Sequence, residues 1–505
     1  LATVFLSRSL ALSSPGGACA QVLPGYWLFL SSYMPFRNQL LRQQRWRSLV
    51  TLGAGAFESI SGEVVNPCLV ILERQAPEGD CDFTWQDLSE ARAIADKAGA
   101  LRGGNTEQLS QSDQCDNPDL IIGYKADHGL PLLNEFVYSY QGLATSDNAQ
   151  FVFRFWEVPA GRPGWHPFHF APGETRAVSG CGHILFYENG EGRYREHAMA
   201  LRREGRLGGW KSGHEAWGRR GVAINRMGKL FASLYLGEKF DCNVAMLIPH
   251  DEAHLPAIWA YCSSPEYAAE VRRINRKVSV TNATLAKVPF DLEHWQQRAH
   301  QSEPAGLPSI ARDDPTQWTC DGAVAPSNQP LQVAIARLLG YRWPAQDETD
   351  APSVADETGI LCLPSLAGEP TGAERLEQCL QDQIGAGWSG DMLAGWLAER
   401  GGQGHDLDWW LRHRFFARHC QIFEQRPFIW QIWDGLRVDG FSALLNYHRL
   451  DRANLELLIE GYLAAWIQQQ QEEASRKVSG AIARVEAARV RLMPRVASCR
   501  RAAAI

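Results

Sequence analysis

The sequence predicts an α/β segment that forms the back half of a doubly wound sheet, then an α+β domain, then a mostly helical C-terminal region. Three observations predict it. Helix-patterned and continuously apolar stretches alternate over residues 1–75, as in strands covered by helices. Short aromatic strands such as FVFRFWEV, HILFYENG and NVAMLIP lie among glycine-rich loops over residues 126–300. Residues 371–470 are helical in pattern and heavy in Trp, and residues 455–500 stay helix-like through QQQQEE and ARVEAARVRL. A chain of 505 residues exceeds what one core sustains, roughly 250–300 residues. Two or three domains are expected.

The elements follow in order. VFLSRSLALSS has helical apolar spacing and Pro15-Gly16-Gly17 ends it. CAQVLPGYWLFLSS reads as a buried strand and turn, and RNQLLRQQRW as a short amphipathic helix. SLVTLGAG and EVVNPCLVILER are two apolar strands joined by a glycine-rich loop, so the sheet ends in a hairpin. Residues 76–125 are polar and helix-forming around LSEARAIADKAGAL, and read as a connector. Residues 126–300 read as a separate α+β domain. Residues 301–370 are rich in Pro, Asp and Ser around one helix, LQVAIARLLGY, and read as a linker region. The chain opens on Leu1 in the middle of an α/β half-unit, which reads as an incomplete N-terminus, and its last helix runs out in RRAAAI without a cap.

Composition removes several classes. Apolar residues make up 45% and charged residues 21%, which excludes wholesale disorder. No run of 18 uncharged apolar residues exists, so no membrane-spanning helix is expected. The net charge is −7, from 50 basic and 57 acidic residues. Any nucleic-acid contact must therefore come from a local basic patch. The twelve cysteines are evenly spread, with no two separated by only two residues. That spacing argues against a zinc ribbon, and a chain of this length needs no disulfide framework. Reduced, mostly buried thiols in a cytoplasmic protein are expected.

Leu52-Gly53-Ala54-Gly55-Ala56-Phe57 follows a strand, as a nucleotide-binding or methyl-donor loop does. The next segment is a strand, so no helix N-terminus is available, and a tight strand-to-strand loop is the better reading. His250 and His254 have i,i+4 spacing, but Pro249 and Pro256 bracket them, so a zinc-protease helix is not expected. His166, His169, Cys181 and His183 could together hold zinc. Their spacing is uncommon, and GWHPFHFAPG reads as a turn-rich surface loop. No G-x-S-x-G and no P-loop is present.

The basic patches say more. Eight basic residues from Arg202 to Lys229 face only Glu204 and Glu215, and Trp210, Trp217 and glycines interleave with them. Arginine gives bidentate contacts to phosphates or guanine edges, and glycine lets backbone approach closely. A second patch, VRRINRKVSVTNATLAK over residues 271–287, has five basic residues and no acidic one. Two patches against the global sign point to a nucleic-acid face. The string Gly142–Phe151, with Thr145, Asp147 and Asn148, reads as a polar turn into a strand.

Several long strings resemble one family: GGACAQVLPGYWLFLSSYMPFR, LGAGAFESISGEVVNPCLVILER, GLATSDNAQFVFRFWEV, WGRRGVAINRMGKLFASLYLGEKFDCN, HLPAIWAYCSSPEYAAEVRRIN, VTNATLAKVPFDLEHW and RPFIWQIWDG with DGFSALLNYHRL. They resemble the C-terminal portion of large gamma-class, adenine-specific N6 DNA methyltransferases. Such enzymes occur in type IIG restriction–modification systems and in phage-defence systems of the BREX and DISARM kind. The resemblance covers residues 1 to about 470.

It implies that residues 1–75 are the C-terminal part of a methyltransferase sheet, 76–125 a connector, 126–300 a target-recognition domain, 301–370 a linker region and 371–505 a helical C-terminal region. It implies S-adenosyl-L-methionine as the cofactor of the complete enzyme, bound by a loop outside this chain. It implies double-stranded DNA as partner, possible restriction or defence subunits besides, and no membrane. The family's Asn-Pro-Pro-aromatic motif is absent; Asn66-Pro67-Cys68 and Asn117-Pro118-Asp119 do not match it. The chain alone is therefore expected to lack the methyl-donor site and the catalytic loop. A non-catalytic DNA specificity subunit or a defence-complex scaffold is the alternative.

By the same resemblance, Phe57 corresponds to an aromatic that stacks on an extruded adenine; otherwise it is a core residue anchoring the hairpin. Thr145, Asp147 and Asn148 fall at the entrance to the recognition domain. Lys211, Arg219, Arg220, Asn225, Arg226 and Lys229, with Arg272, Arg273 and Lys277 of the second patch, become candidate DNA contacts.

Overall fold

The computed structural model describes residues 1–493 except 59–64, 92, 124–129, 207, 276, 348–355, 367, 437 and 477–479. The terminal run RRAAAI lies outside the described residues. The chain forms two compact units. The first comprises Leu1–Tyr140, Arg226–Leu230 and Ala245–Leu307; the second comprises Gln141–Asn225, Phe231–Val244 and Pro308–Ile505.

The first unit is built on a five-stranded sheet. Helix α1 (Ala2–Leu12) buries Leu6 and Leu10. The turn at Gly16, which has φ 74°, delivers the chain to strand β1 (Ala18–Pro24). Helix α2 (Met34–Gln43) has Pro35 in its first turn and buries Leu40 and Leu41, then leads to β2 (Arg45–Thr51). Strand β3 (Pro67–Glu73) runs antiparallel to both β1 and β2 and lies between them. β1 and β2 are thus parallel, each preceded by a helix, and the sheet turns back in a hairpin as the apolar runs predict. Trp27, Trp46 and Phe83 pack in series beneath it, with ring centroids 5.9 and 5.5 Å apart.

Residues 76–125 are not a bare connector. They supply β4 (Asp82–Asp87), α3 (Ile94–Gly103) and β5 (Glu107–Ser110). β4 pairs parallel with β2, and β5 antiparallel with β4. These strands are short and polar because they form the margin of the sheet, where few faces are covered. Two buried cations brace the unit. Arg37 is fully buried and donates to the carbonyls of Trp27, Leu30 and Asp119 at 2.6–2.8 Å and of Leu120 at 2.9 Å. Burial lowers its pKa to about 10. Lys97 on α3 donates to the carbonyls of Leu52 and Leu88 at 2.5 and 3.0 Å, which ties the end of β2 to the end of β4.

The second unit is aromatic. Helix Pro330–Leu338 is buried at all nine positions, amid Trp156, Trp343, Trp410, Phe415, Phe423 and Phe428. Residues 301–370, expected as a linker region, therefore contribute a helix to the interior of an extensive aromatic core. LQVAIARLL is mostly apolar, and its two polar members reach partners: Gln332 Oε1 meets His419 Nδ1 at 3.0 Å, and Arg337 Nη1 donates to the Gly322 carbonyl at 3.0 Å. The C-terminal region is not helical throughout. Ile429–Trp433 and Ser442–Asn446 pair antiparallel, and Ile360–Cys362 joins them. A further correction concerns GWHPFHFAPG, expected as a surface loop. Trp165–His169 is a strand paired with His183–Phe186, and His169 is fully buried.

The eleven described cysteines are unpaired, and most are buried. No described helix is long and apolar enough to cross a membrane.

Candidate nucleic-acid interface

In the second unit the structure joins two of the expected segments. Ala144 donates its N–H to the Gly209 carbonyl at 3.1 Å, so the turn carrying Thr145, Asp147 and Asn148 lies against the loop carrying Lys211. The turn is a helix cap rather than a plain entry into a strand. The Asp147 carboxylate accepts from the Gln150 N–H at 3.2 Å and caps the short helix Asn148–Phe151. Thr145 is 5% exposed, and its hydroxyl donates to the Asn148 side chain. Thr145 is thus turned inward, and its contact holds the exposed Asn148. Gly142 is required here: a Cβ would stand 2.2 Å from the Asp241 carbonyl oxygen.

Lys211 is exposed, with its ammonium 4.6 Å from the Trp210 ring centroid. Arg220 is exposed and Arg219 half-buried. The Asn225 side-chain amide donates to the Pro172 carbonyl at 3.0 Å, which commits that donor to the fold. Sequence reasoning missed Lys239. Its ammonium sits 4.9 Å from Tyr187 and 4.7 Å from Trp217, over both rings, and burial lowers its pKa. One lysine in GEKFDCN carried no signal of that box; only the folded chain assembles it.

The remaining basic residues belong to the first unit, where they are mostly bound to the chain itself. Residues 226–230 and 277–280 lie side by side: Met227 bridges Ser279, Gly228 N donates to Val278 O, and Val280 N donates to Arg226 O. Arg226 Nε returns to the Val280 carbonyl at 2.9 Å. Arg272 donates to the carbonyls of Lys277, Gly228 and Val278. Arg273 is exposed and pairs with Glu270 at 2.7 Å. Lys277 Nζ lies 4.4 Å from the Tyr26 centroid. Lys229 is exposed.

A cleft opens at the carboxyl ends of the parallel strands β1 and β2, where open α/β sheets hold ligands. Thr51, Gly53, Asn66, Trp85, Ile122 and Arg273 are among its lining residues. Phe57 stands on the loop after β2 and is 42% exposed, so it is not a core anchor. The glycine loop is no donor cradle. Among the described residues the next element is the strand β3, and no helix N-terminus faces the loop. Gly53, at φ 69°, packs so closely that a Cβ would stand 2.6 Å from Ser89 Cα. These residues do not fit S-adenosyl-L-methionine.

The histidine candidates separate. His250 Nδ1 is 2.9 Å from the Glu135 carbonyl, and neither it nor His254 joins a metal-ligand cluster among the described residues. His183 accepts from Arg154 at 3.2 Å and stacks on Phe170 at 3.8 Å. Burial, with Arg154 and Arg426 nearby, lowers its pKa to about 3.

No family model matches the chain. It is similar to the adenine-specific methyltransferase BrxX of Escherichia coli O9:H4 (strain HS), 42% identical over 65 residues. That alignment covers 13% of this chain and 5% of the relative. It is also similar to the adenine-specific methyltransferase PglX of Lacticaseibacillus casei (strain Zhang), 28% identical over 178 residues, or 31% of this chain and 14% of the relative. The matched portion is thus a small part of either relative. Among solved structures, the type IIL restriction–modification enzyme MmeI in complex with DNA aligns over 82% of this chain and 50% of its own, at 11% identity and a TM-score of 0.34. The family resemblance read from the sequence is to proteins that carry the adenine-specific methyltransferase name.

Proposed function

We propose that this chain is the part of a DNA adenine-N6 methyltransferase that carries target recognition, in a restriction–modification or phage-defence system. The observation that carries the reading is the 42% identity to a relative named as an adenine-specific methyltransferase. The exposed cations Lys211 and Arg220, with Asn148 on the adjoining turn, supply a surface of the right chemistry. Phosphate contacts hold the duplex, and amide or guanidinium groups read base edges. In the complete enzyme the adenine N6 amine attacks the methyl carbon of S-adenosyl-L-methionine. The residues for that step lie outside this chain. Phe57, exposed on its loop, serves as a stacking wall for an extruded base.

The test is direct. The purified chain is mixed with labelled duplex DNA over a range of salt, and donor-dependent methyl transfer is assayed alongside. Salt-dependent binding without methyl transfer is expected. Methyl transfer by the chain alone overturns the assignment of the chemistry to other segments. Binding that is absent at low salt overturns the recognition role and favours the scaffold reading.

A further inference from the structure

The second unit holds a side-chain cluster that DNA recognition does not use. His169 ends the strand Trp165–His169, Cys181 lies just before the strand His183–Phe186, and Glu238 precedes the short strand Lys239–Phe240. The three meet in the interior: His169 is 0% exposed, Cys181 1%, and the Glu238 side chain 5%. Glu238 Oε1 is 2.5 Å from His169 Nδ1, and Cys181 Sγ is 3.9 Å from the same nitrogen. One donor atom of each residue lies within 4.8 Å of the other two. His169 Nε2 is buried without a partner. His166 and His183, the other candidates in the sequence, are not part of the cluster.

The backbone fixes all three. Asp241 N donates to the His169 carbonyl at 3.0 Å, and Phe170 N to the Gly180 carbonyl at 2.9 Å. Cys181 N donates to the Gln317 side chain at 2.8 Å, and the Tyr235 hydroxyl to the Glu238 carbonyl. Gly180, at φ 86°, lets the cysteine loop pass over the imidazole, since a Cβ would stand 2.3 Å from the Phe170 carbonyl oxygen.

We propose that His169, Cys181 and Glu238 form a structural zinc site that staples the recognition sheet of the second unit. The three donors converge: a ring nitrogen, a thiol sulfur and a carboxylate oxygen meet in the interior. Nδ1 can serve one partner, yet a carboxylate and a thiol both approach it. A buried carboxylate is costly unless its charge is neutralised. A divalent cation between the three atoms satisfies all of them. Imidazole, thiolate and carboxylate are all ligands that zinc takes. On binding, the Cys181 thiol releases its proton to solvent, and His169 presents Nδ1 unprotonated, with its ring proton on Nε2. The site then carries Zn²⁺, one thiolate and one carboxylate, with no net charge.

The experiment uses the full chain, purified without chelator and with its affinity tag removed. Elemental analysis is expected to give about one zinc per chain. Replacing zinc with Co²⁺ is expected to produce a near-ultraviolet thiolate-to-cobalt absorption band. Cys181→Ser is expected to abolish that band. Glu238→Gln, which keeps an oxygen at Nδ1 but loses the negative charge, is expected to weaken metal retention against a chromogenic chelator. Cys242→Ser serves as the control and is expected to keep metal and band. The proposal is overturned if the wild-type chain carries no zinc and takes up neither Zn²⁺ nor Co²⁺ after treatment with chelator. It is equally overturned if the cobalt band persists in Cys181→Ser. The wild-type cobalt spectrum decides the matter even if a variant fails to fold.

Discussion

Two stretches of this chain look alike as sequence and do different work in the fold. Around Lys211–Arg220 in the second unit, Lys211 and Arg220 stand exposed, and Lys211 lies over the Trp210 ring. Around Arg226–Lys229 and Arg272–Lys277 in the first unit, Arg226 and Arg272 are spent on backbone carbonyls. A guanidinium that satisfies carbonyls at a turn is part of the fold, and its removal strands acceptors. A cation held only by an aromatic face can still reach a phosphate. Positive charge in a sequence therefore measures two quantities at once, and burial separates them.

Mutations can break or sharpen this contrast. The largest effect is expected at Arg37, the extreme case of a cation bound by its own chain. Arg37→Met should cost about 3–5 kcal/mol, since it leaves buried carbonyls without a donor. Urea unfolding at unchanged slope would check it. Arg272→Ala should follow, at about 1.5–3 kcal/mol, while the salt dependence of DNA binding stays as in the parent chain. A large loss of DNA affinity without loss of stability would place Arg272 on the other side of the comparison.

The second unit has its own buried polar group. His419 donates from Nδ1 to the Gln332 side chain at 3.0 Å and accepts from Ile429 N–H at 3.2 Å, which requires the neutral ring. Burial lowers its pKa to about 3, against an unfolded value of about 6.5. The unfolded chain thus binds the extra proton first. The contribution is fully present above about pH 6.5 and is lost as pH falls from there towards 3, at about 1.4 kcal/mol per pH unit. His419→Gln should flatten that part of the stability profile relative to the parent. An unchanged slope would show that other groups carry the acid sensitivity.

The smallest effect on stability is expected at Lys211 and Arg220. Lys211→Glu with Arg220→Glu should leave the unfolding midpoint in place. The same pair should weaken DNA binding and lower the slope of log K against log salt by about 0.9 for each phosphate that is no longer neutralised. An unaltered slope would remove this surface from the proposed interface.

Much of the fold was legible. The helix over Ala2–Leu12, the strand over Ala18–Pro24 and the hairpin of β2 and β3 follow from local apolar spacing. The strands within residues 76–125 were not legible, because marginal strands such as DFTWQD carry little apolar signal. In residues 301–370 the helix LQVAIARLLGY was legible but its complete burial was not, because the Pro- and Asp-rich flanks carry no sign of the core that covers it. The candidate site was half legible. Residue type nominated the cations, but the inward turn of Thr145, the carbonyl duties of Arg272 and the aromatic box of Lys239 depend on segments distant in sequence.

The sequence by itself determined the alternation of elements, the family resemblance and the supply of charge, because periodicity and motif are local properties of the chain. The tertiary structure decided which cations face solvent. It also replaced His166 and His183 by Glu238 as the companion of His169 and Cys181. The physical reason is the same in both cases: burial and hydrogen-bond partners are set by segments that meet only after folding, and those two quantities fix what a side chain can do.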